Sequence, residues 1–341
     1  MRFLVLTFFV LFANASNAQS PITTEPWQEV VVSVHDIDEA AQFFTEIAGY
    51  ETLWRGQEQR SHLSFMGLPP EASAMSLVLG APGTNFGRVR FIQFLNAGDQ
   101  QPTRPGARAW DSGCFFSIMV RAKNLQAIYA EALKIGWWTE TPISNLTFGA
   151  SNLNIVIFRG PQGMQLQAYE RVKPDLPAAF PAFERLSVPF NIMQTVRDRD
   201  TAQHFFVKGL GFETFYVGKP YTSATPTPTP LGIPLNLTTT AKYRAGIFTP
   251  NKGEVGRVEI IEMMDLRGFD YADQCKAPNY GILSVKFPVN DAEAARAELE
   301  RRGLKLSKPV MSATIEPYGA VNVFSIKSPD GANFDFFSHE N

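Results

Sequence analysis

The chain has 341 residues, with 31 Lys and Arg against 33 Asp and Glu and a formal net charge of −2 at pH 7. This length is enough for two ordinary domains, each with its own core. The near-balance of charge, without a long basic run or an acidic tail, argues against nucleic-acid binding and against a solvating role.

Residues 1–18 carry the pattern of a cleaved export signal. Met1-Arg2 is followed by an apolar run over residues 3–12 and then by small residues ending at Ala18. The apolar run is too short to span a bilayer comfortably. We expect cleavage after Ala18, a mature N-terminus at Gln19 and a periplasmic or secreted protein without membrane attachment. A first strand or a membrane anchor is the alternative interpretation.

The first predicted elements are one strand, one helix and three strands. β-Branched residues predict a strand over residues 27–34. Asp36 or Asp38 is placed to cap the following helix, whose apolar stripe includes Phe43 and Phe44 and which Gly49 ends. Further strands are predicted over residues 51–55, 74–80 and 89–95.

This pattern recurs three times along the chain. Asp36-Ile37-Asp38 returns as Asp198-Arg199-Asp200, each followed by a Phe-Phe pair and a Gly. Further strand–helix pairs are predicted from residues 115 and 282. Because a repeat at this distance reports architecture, we predict four βαβββ modules. Modules 1 and 2 occupy residues 26–171, a linker occupies 172–189, and modules 3 and 4 occupy 190–339.

Two local features are each open to two interpretations. Residues 222–230, rich in Thr and Pro, lengthen module 3 and predict either a surface loop or a lid over a pocket. Cys114 and Cys275 could form a disulfide, which an exported protein permits. They could also be buried, unpaired thiols that act as small apolar residues.

These motifs resemble those of the vicinal oxygen chelate superfamily, which includes glyoxalase I, bleomycin-resistance proteins and extradiol dioxygenases. The strand followed by Asp-x-Asp, Phe-Phe and Gly-Tyr-Glu or Gly-Phe-Glu resembles the opening of its βαβββ module, and Ser328-Pro329-Asp330-Gly331 is similar to its closing motif. The resemblance implies an α+β fold with cup-shaped sheets and a ligand site inside each cup.

The resemblance also implies where site residues lie. Metal-dependent members carry ligands near the start of each first strand and on each last strand. Counting from Asp36 and Asp198, and matching modules 2 and 4, gives eight positions. The first cup, in the first half of the chain, would present Glu29, Gln93, Ser117 and Gln167, and the second cup, in the second half, would present Asn191, Glu262, Ser284 and Asp335.

Neither set contains the His that such metal sites usually use, and a Ser hydroxyl is a poor ligand for zinc, nickel or iron. We therefore predict no metal in the first cup and no cofactor. In the second cup, Glu262 and Asp335 are the candidate catalytic carboxylates, one of them a general base with a raised pKa. Alternatively they hold a divalent metal with Asn191, or they pair with arginines or backbone groups while the cup binds its ligand weakly.

Two functions remain open. The first is an exported glyoxalase-like protein that binds a small organic molecule, with isomerase- or lyase-like chemistry in the second half. The second is a non-catalytic binding or sequestering protein of the bleomycin-resistance type. Either way the predicted partner is a small molecule. Since both cups could close within one chain, the protein is expected to be a monomer or a homodimer.

Overall fold

The computed structural model describes residues 19–106 and 108–340, which form a mixed α+β fold dominated by strands. The predicted export signal over residues 1–18 lies outside the described residues. Within the described ranges, no helix combines the length and the apolar character that crossing a bilayer requires.

Four modules follow one another in the order strand, helix, strands. Module 1 contains β1 Glu29–Ser33, α1 Ile37–Gln42, β2 Glu51–Gln57, α2 Arg60–Phe65, β3 Ser73–Gly80 and β4 Arg88–Leu95. Module 2 contains β5 Phe115–Ala122, α3 Leu125–Lys134, β6 Trp138–Thr139, β7 Ser144–Phe148, β8 Ser151–Arg159 and β9 Gln165–Lys173. Module 3 contains β10 Asn191–Thr195, α4 Arg199–His204, β11 Glu213–Val217, β12 Tyr243–Thr249 and β13 Arg257–Met263. Module 4 contains β14 Gly281–Pro288, α5 Ala292–Arg301, β15 Leu306–Ile315, β16 Gly319–Lys327 and β17 Asn333–His339. The four predicted modules are confirmed, and α2 is an addition that the sequence patterns did not predict.

The helices that open modules 1 and 3 begin at the predicted aspartates. The Asp36 carboxylate accepts hydrogen bonds from the backbone N–H groups of Asp38 and Glu39, and Asp198 accepts one from Thr201. Such caps satisfy backbone donors that have no partner inside the helix. Both helices continue as a π-helical turn, Phe43–Ile47 and Phe205–Gly209, which buries the Phe-Phe pair.

Each sheet combines modules from different halves of the sequence. One sheet has the order β15-β16-β17-β14-β1-β4-β3-β2, and the other has β11-β12-β13-β10-β5-β9-β8-β6, with β7 beside β8. β1 pairs antiparallel with β14, and β10 pairs antiparallel with β5. The curled sheets are as expected, but the expected partners within each cup were wrong: module 1 shares its sheet with module 4, and module 2 shares its sheet with module 3.

One core joins the two sheets through their helix-bearing faces, by which we mean the faces that pack against the module helices. It contains buried residues from all four modules. Phe43 stacks on Trp137 with ring centroids 4.3 Å apart, and Phe115 of module 2 meets Phe334 of module 4 at 5.5 Å. Because successive side chains of a strand point to opposite faces, the alternate residues are left to line the cups.

Cys114 and Cys275 form a disulfide, which decides between the two alternatives for these residues. Their Cα atoms are 5.3 Å apart, within the ordinary range for a bridge. The bond joins the segment that precedes β5 to the segment that precedes β14. It therefore connects the first-to-second and third-to-fourth module junctions.

Candidate functional site

The face of each sheet that points away from the helices forms a cup, and the two cups are lined by different kinds of residue. We call them the 1/4 cup and the 2/3 cup after the modules that build them. The first strands and their parallel neighbours have the same register in both, with Glu29 beside Arg88 and Asn191 beside Arg257. The first-strand site positions, Glu29 and Asn191, are therefore equivalent, as predicted.

A closed network of charges fills the centre of the 1/4 cup. Arg90 donates from Nε and Nη2 to the two carboxylate oxygens of Glu29, at 2.8 and 3.0 Å. Lys286 Nζ donates to the same carboxylate at 2.8 Å. Burial opposes ionisation of Glu29, but Arg90 and Lys286 outweigh it and lower its pKa to about 2. Both carboxylate oxygens of Glu29 are therefore already paired with cationic side chains of the chain itself.

The network continues into α2 through Glu58 and His62. Arg90 Nη1 donates to Glu58 at 2.6 Å, and the other Glu58 oxygen lies 2.7 Å from His62 Nδ1. Burial lowers the pKa of His62, with the charges of Lys286 and Arg90 adding to the effect and Glu58 opposing it. A neutral ring that donates from Nδ1 leaves Nε2 as an acceptor, and the buried Nε2 has no hydrogen-bond partner in residues 19–106 and 108–340.

Beside this network lies a small pocket of about 170 Å³. Its lining includes His62, Ser284, Lys308 and Asp335. The Oδ1 atom of Asp335 is buried and has no hydrogen-bond partner in the part of the chain that the structure describes. Ser284 and Asp335 thus lie together as predicted, but in the 1/4 cup rather than with Asn191 and Glu262.

The 2/3 cup encloses a much larger cavity of about 990 Å³. Gln167 Nε2 lies 2.5 Å from Ser117 Oγ and 2.9 Å from Met193 Sδ, and the Tyr169 hydroxyl donates to Gln167 Oε1 at 2.8 Å. Ser117 and Gln167 are therefore brought together as predicted, although their neighbour across the cup is Asn191 rather than Glu29.

Glu259 is a carboxyl group of the 2/3 cup that the sequence patterns did not predict as a site residue. Asn191 Nδ2 donates to Glu259 Oε2 at 3.3 Å, while Asn191 Oδ1 is buried and no described residue hydrogen-bonds to it. Burial raises the pKa of Glu259 to about 7, with the charge of Arg121 acting in the opposite direction. The signal was present in the repeat, because matching Gly256-Arg257 to Gly87-Arg88 places Glu259 level with Arg90.

The two site positions predicted for β4 and β13 were wrong. Glu262 lies on the helix-bearing face, where its Oε2 accepts from the Arg199 backbone N–H at 2.8 Å and pairs with Arg244 at 2.7 Å. Gln93 lies on the same side of β4 as the core residue Phe91. Gln93 and Glu262 each lie three residues after the residues that face the cups, which are Arg90 and Glu259. A shift by an odd number of residues moves a side chain to the opposite face of a strand.

Arginines give the 2/3 cup its electrostatic character. Arg121 lies over the Phe190 ring at 4.1 Å and donates to Glu254 at 3.1 Å, and Arg171 is 4.0 Å from the same carboxylate. Arg257 lies over Phe215 at 3.6 Å and donates to the Gly253 carbonyl. No carboxylate within the described ranges is at ion-pair distance from Arg257, whose pKa burial lowers to about 10 although Glu254 opposes this.

The Thr- and Pro-rich insertion borders the same cavity. Tyr221 pairs with Tyr243 of β12, and the Ser223 backbone N–H donates to the Thr238 carbonyl at 2.9 Å. Pro230 and Leu231, at the end of the insertion, line the cavity. The segment therefore forms part of one wall of the 2/3 cup.

Neither cup offers the donors of a transition-metal centre. In the 2/3 cup Glu259 lies with two amides and a hydroxyl while Glu254 pairs with arginines, and cations already occupy Glu29 in the 1/4 cup. In residues 19–106 and 108–340, no cluster of three His, Cys, Asp or Glu could hold a metal. The alternative site of Asn191, Glu262 and Asp335 was wrong, because one lies in each cup and the third on the helix-bearing face. That the protein uses no cofactor stays a prediction.

Comparison with known proteins supports the fold and nothing finer. No family model matches the chain, and no curated protein matches its sequence. Among solved structures, glyoxalase I from Zea mays is similar with a TM-score of 0.60 and 13% identity, over 92% of each chain. A putative dioxygenase from Bacillus subtilis gives 0.56 and 12%, over 95% of this chain and 87% of its own. These structures, together with the two curled sheets, show that the chain has the fold of the vicinal oxygen chelate superfamily.

Proposed function

We propose that the protein binds a small organic anion in the 2/3 cup and that Glu259 exchanges a proton with it. The observation that carries this proposal is the placement of Glu259. Its half-buried side chain lines a cavity of about 990 Å³ and is hydrogen-bonded to Asn191, and desolvation raises its pKa to about 7. A general base works best when its pKa lies near the operating pH.

The charge of the cup supports an anionic ligand. Arg121, Arg171 and Arg257 line the cavity, and the carboxyl groups among its described lining residues are Glu254 and Glu259. Glu254 lies beside Arg121 and Arg171, and burial keeps Glu259 largely protonated below pH 7. A buried charge without a partner is costly. A ligand carboxylate can take two parallel N–H donors from a guanidinium group. Aromatic neighbours such as Phe190 and Phe215 suit a ligand with a planar apolar part.

The reaction class that these groups support is proton transfer at a carbon next to a carbonyl. The ionised Glu259 would take the proton, and the electron pair of the C–H bond would move into the carbonyl to give an enolate. The neighbouring arginines would stabilise the negative charge on the enolate oxygen. Return of the proton to another carbon completes an isomerisation, and loss of a leaving group completes an elimination.

Phenylpyruvate is a suitable probe because it combines a carboxylate, an aromatic ring and acidic protons next to a carbonyl. In D₂O, proton NMR would follow exchange of its methylene protons. We expect the protein to accelerate exchange over buffer and Glu259→Gln to reduce the acceleration about a hundredfold or more. Glu262→Gln, outside the cup, is the matched control and should retain it.

A binding protein without turnover is the second candidate, and the aromatic rim favours it. Phe148 and Tyr216, which both line the cavity, meet edge to face with ring centroids 4.5 Å apart. Saturable phenylpyruvate binding that Glu259→Gln leaves intact, without accelerated exchange by the parent protein, would select this candidate. Absence of binding to the parent protein would contradict both.

Export is part of the proposal. It is supported by the N-terminal pattern and by the Cys114–Cys275 disulfide, since such bonds persist mainly in oxidising compartments. Expression with the complete N-terminus should yield mature protein outside the cytoplasm. Its first residue, read by N-terminal sequencing, should be Gln19, and retention of Met1 would contradict this.

A further inference from the structure

The pocket of the 1/4 cup takes no part in the function proposed above, yet buried polar atoms converge on it. We propose that it is a second binding site, for a short organic anion that also carries a hydroxyl or N–H donor. The inference stands on the residues of modules 1 and 4 and is independent of the 2/3 cup.

The first argument is the presence of two acceptors without donors. His62 and Asp335 both line the pocket and are 0% and 4% exposed. Among the residues that the structure describes, His62 Nε2 and Asp335 Oδ1 have no hydrogen-bond partner. Because a buried acceptor that lacks a donor costs free energy, this pair is satisfied when a molecule with hydrogen-bond donors enters the pocket.

The second argument is that His62 is held as a rigid acceptor. Its Nδ1 is fixed by Glu58 at 2.7 Å, and Glu58 is fixed by Arg90 at 2.6 Å. All three side chains are buried. The chain of contacts sets both the ring orientation and the tautomer, so that Nε2 presents its lone pair. A hydroxyl group of the ligand is the natural partner for that lone pair.

The third argument is charge. Lys308 lines the pocket with its ammonium 4.6 Å from the Phe65 ring centre, and the described residues place no carboxylate at ion-pair distance from it. Lys276 and Lys327 add positive charge at the lining, against Asp335 alone. A metal cation would be repelled by these lysines and by Lys286. A negative group beside Lys308 is attracted.

The fourth argument is size. The pocket volume of about 170 Å³ corresponds to roughly five or six water molecules, taking about 30 Å³ for each. That space suits a short hydroxy acid and excludes the larger aromatic anions proposed for the 2/3 cup. Ser284, also in the lining, offers a further hydroxyl.

Glycolate is the probe, because it places a hydroxyl and a carboxylate on a minimal frame, and acetate is its control without the hydroxyl. Both would be titrated into the full mature protein while nitrogen-15 NMR follows the His62 imidazole. We expect glycolate to shift the His62 Nε2 resonance saturably. Acetate should bind at least about tenfold more weakly, since it has no hydroxyl hydrogen to donate to His62 Nε2 or to Asp335.

Two variants make the assignment specific. Lys308→Met removes the cation and should weaken glycolate binding about tenfold. Asp335→Asn keeps an acceptor oxygen and removes a negative charge that repels the ligand carboxylate, so it should bind glycolate at least as tightly as the parent. Lys305→Met, which changes an exposed lysine just before β15, is the matched control and should bind as the parent does. A thermal melt would confirm that each variant is folded. If Asp335→Asn does not fold, the proposal is tested by Lys308→Met alone.

Three results would overturn the proposal. They are an unmoved His62 resonance at about 100 mM glycolate, equal affinity for acetate and glycolate, or unchanged glycolate binding in Lys308→Met. The first means that the pocket holds water only. Exchange of phenylpyruvate in the 2/3 cup is read separately, so failure of one proposal does not imply failure of the other.

Discussion

Glu259 in module 3 occupies the position that Arg90 occupies in module 1. Each stands three residues after the Gly of a matching Gly-Arg-Val motif and faces its cup beside an equivalent first strand. In the 1/4 cup the pair of positions holds an ion pair, Glu29 with Arg90 at 2.8 Å. In the 2/3 cup it holds an amide and a carboxyl, Asn191 with Glu259 at 3.3 Å. An ion pair therefore fills the centre of the 1/4 cup, whereas the 2/3 cup retains a carboxyl group that can titrate near neutral pH.

Removing Glu29 should destabilise the protein strongly. Glu29→Gln leaves Arg90 and Lys286 buried with one carboxylate fewer, which we expect to cost about 3–5 kcal/mol in the free energy of unfolding. Urea denaturation at pH 7 measures it. Arg55→Ala is the control, because its ion pair with Asp38 is exposed and should be worth about 1 kcal/mol or less. Equal effects of the two substitutions would show that the network contributes little.

The stability of the protein should fall as pH rises through the pKa of Glu259. Burial raises this pKa from 4.5 to about 7, so the folded state binds the proton more tightly than the unfolded state. The stabilisation is complete below about pH 4.5 and disappears as the pH passes 7, with an upper limit of about 3 kcal/mol. The check is the free energy of unfolding of the parent minus that of Glu259→Gln between pH 4 and 8. A flat difference would show that Glu259 titrates normally.

Arg257 should contribute to anion affinity. Its guanidinium has no ion-pair partner within the described ranges and faces the cavity beside Phe215. Arg257→Met should weaken phenylpyruvate binding about tenfold and reduce its salt dependence. Calorimetry at two ionic strengths provides both values. Arg296→Met, on the exposed side of α5, should leave them unchanged, and a similar loss in that variant would show that the effect is only one of net charge.

The protein should bind no stoichiometric transition metal. In the 2/3 cup Glu259 lies beside two amides and Glu254 pairs with Arg121, and in the 1/4 cup cations occupy the carboxylate of Glu29. Protein incubated with Zn²⁺, Ni²⁺, Mn²⁺ or Fe²⁺ and then desalted would be analysed by mass spectrometry of the elements. One metal per chain that disappears in Glu259→Gln would refute this prediction and place a metal in the 2/3 cup.

Reduction of the disulfide should lower stability. The bond closes a sequence separation of 161 residues, so its loss enlarges the unfolded ensemble and should cost about 2–5 kcal/mol. Cys114→Ala combined with Cys275→Ala tests this by urea denaturation against the parent in oxidising buffer. Addition of a reductant should lower the parent to the level of the double variant and leave the double variant unchanged. A parent protein that is insensitive to reductant would contradict the prediction.

Local and repeated signals were enough to predict the modules. Asp36 and Asp198 cap their helices because a carboxylate accepts from free backbone N–H groups wherever it precedes a helix. Gly49 ends its helical segment with φ +73°, a conformation that glycine adopts without penalty. Such effects act between neighbours in the chain, and the repeat then carries them to each module.

The site was predicted less well, because it depends on the face to which a strand directs each residue. Ser117, Gln167, Asn191, Ser284 and Asp335 face the cups. Gln93 and Glu262 do not, since an error of three residues along a strand reverses the side. His62 and Glu58 had no sequence signal, because α2 lies outside the repeated elements and its role arises only from Arg90 reaching it across the sheet.

By itself the sequence determined the four modules, their order and the helices that open modules 1 and 3, because these rest on periodicity, capping and internal repetition. Only the tertiary structure decided that modules 1 and 4 share one cup and modules 2 and 3 the other. β1 pairs with β14 and β10 pairs with β5, which are distant from them in the sequence, and no local pattern predicts these pairings. The same pairing decided that Glu29 meets Lys286 and that Glu259 is left to face a cavity, so the chemistry of the protein was set by which strands meet.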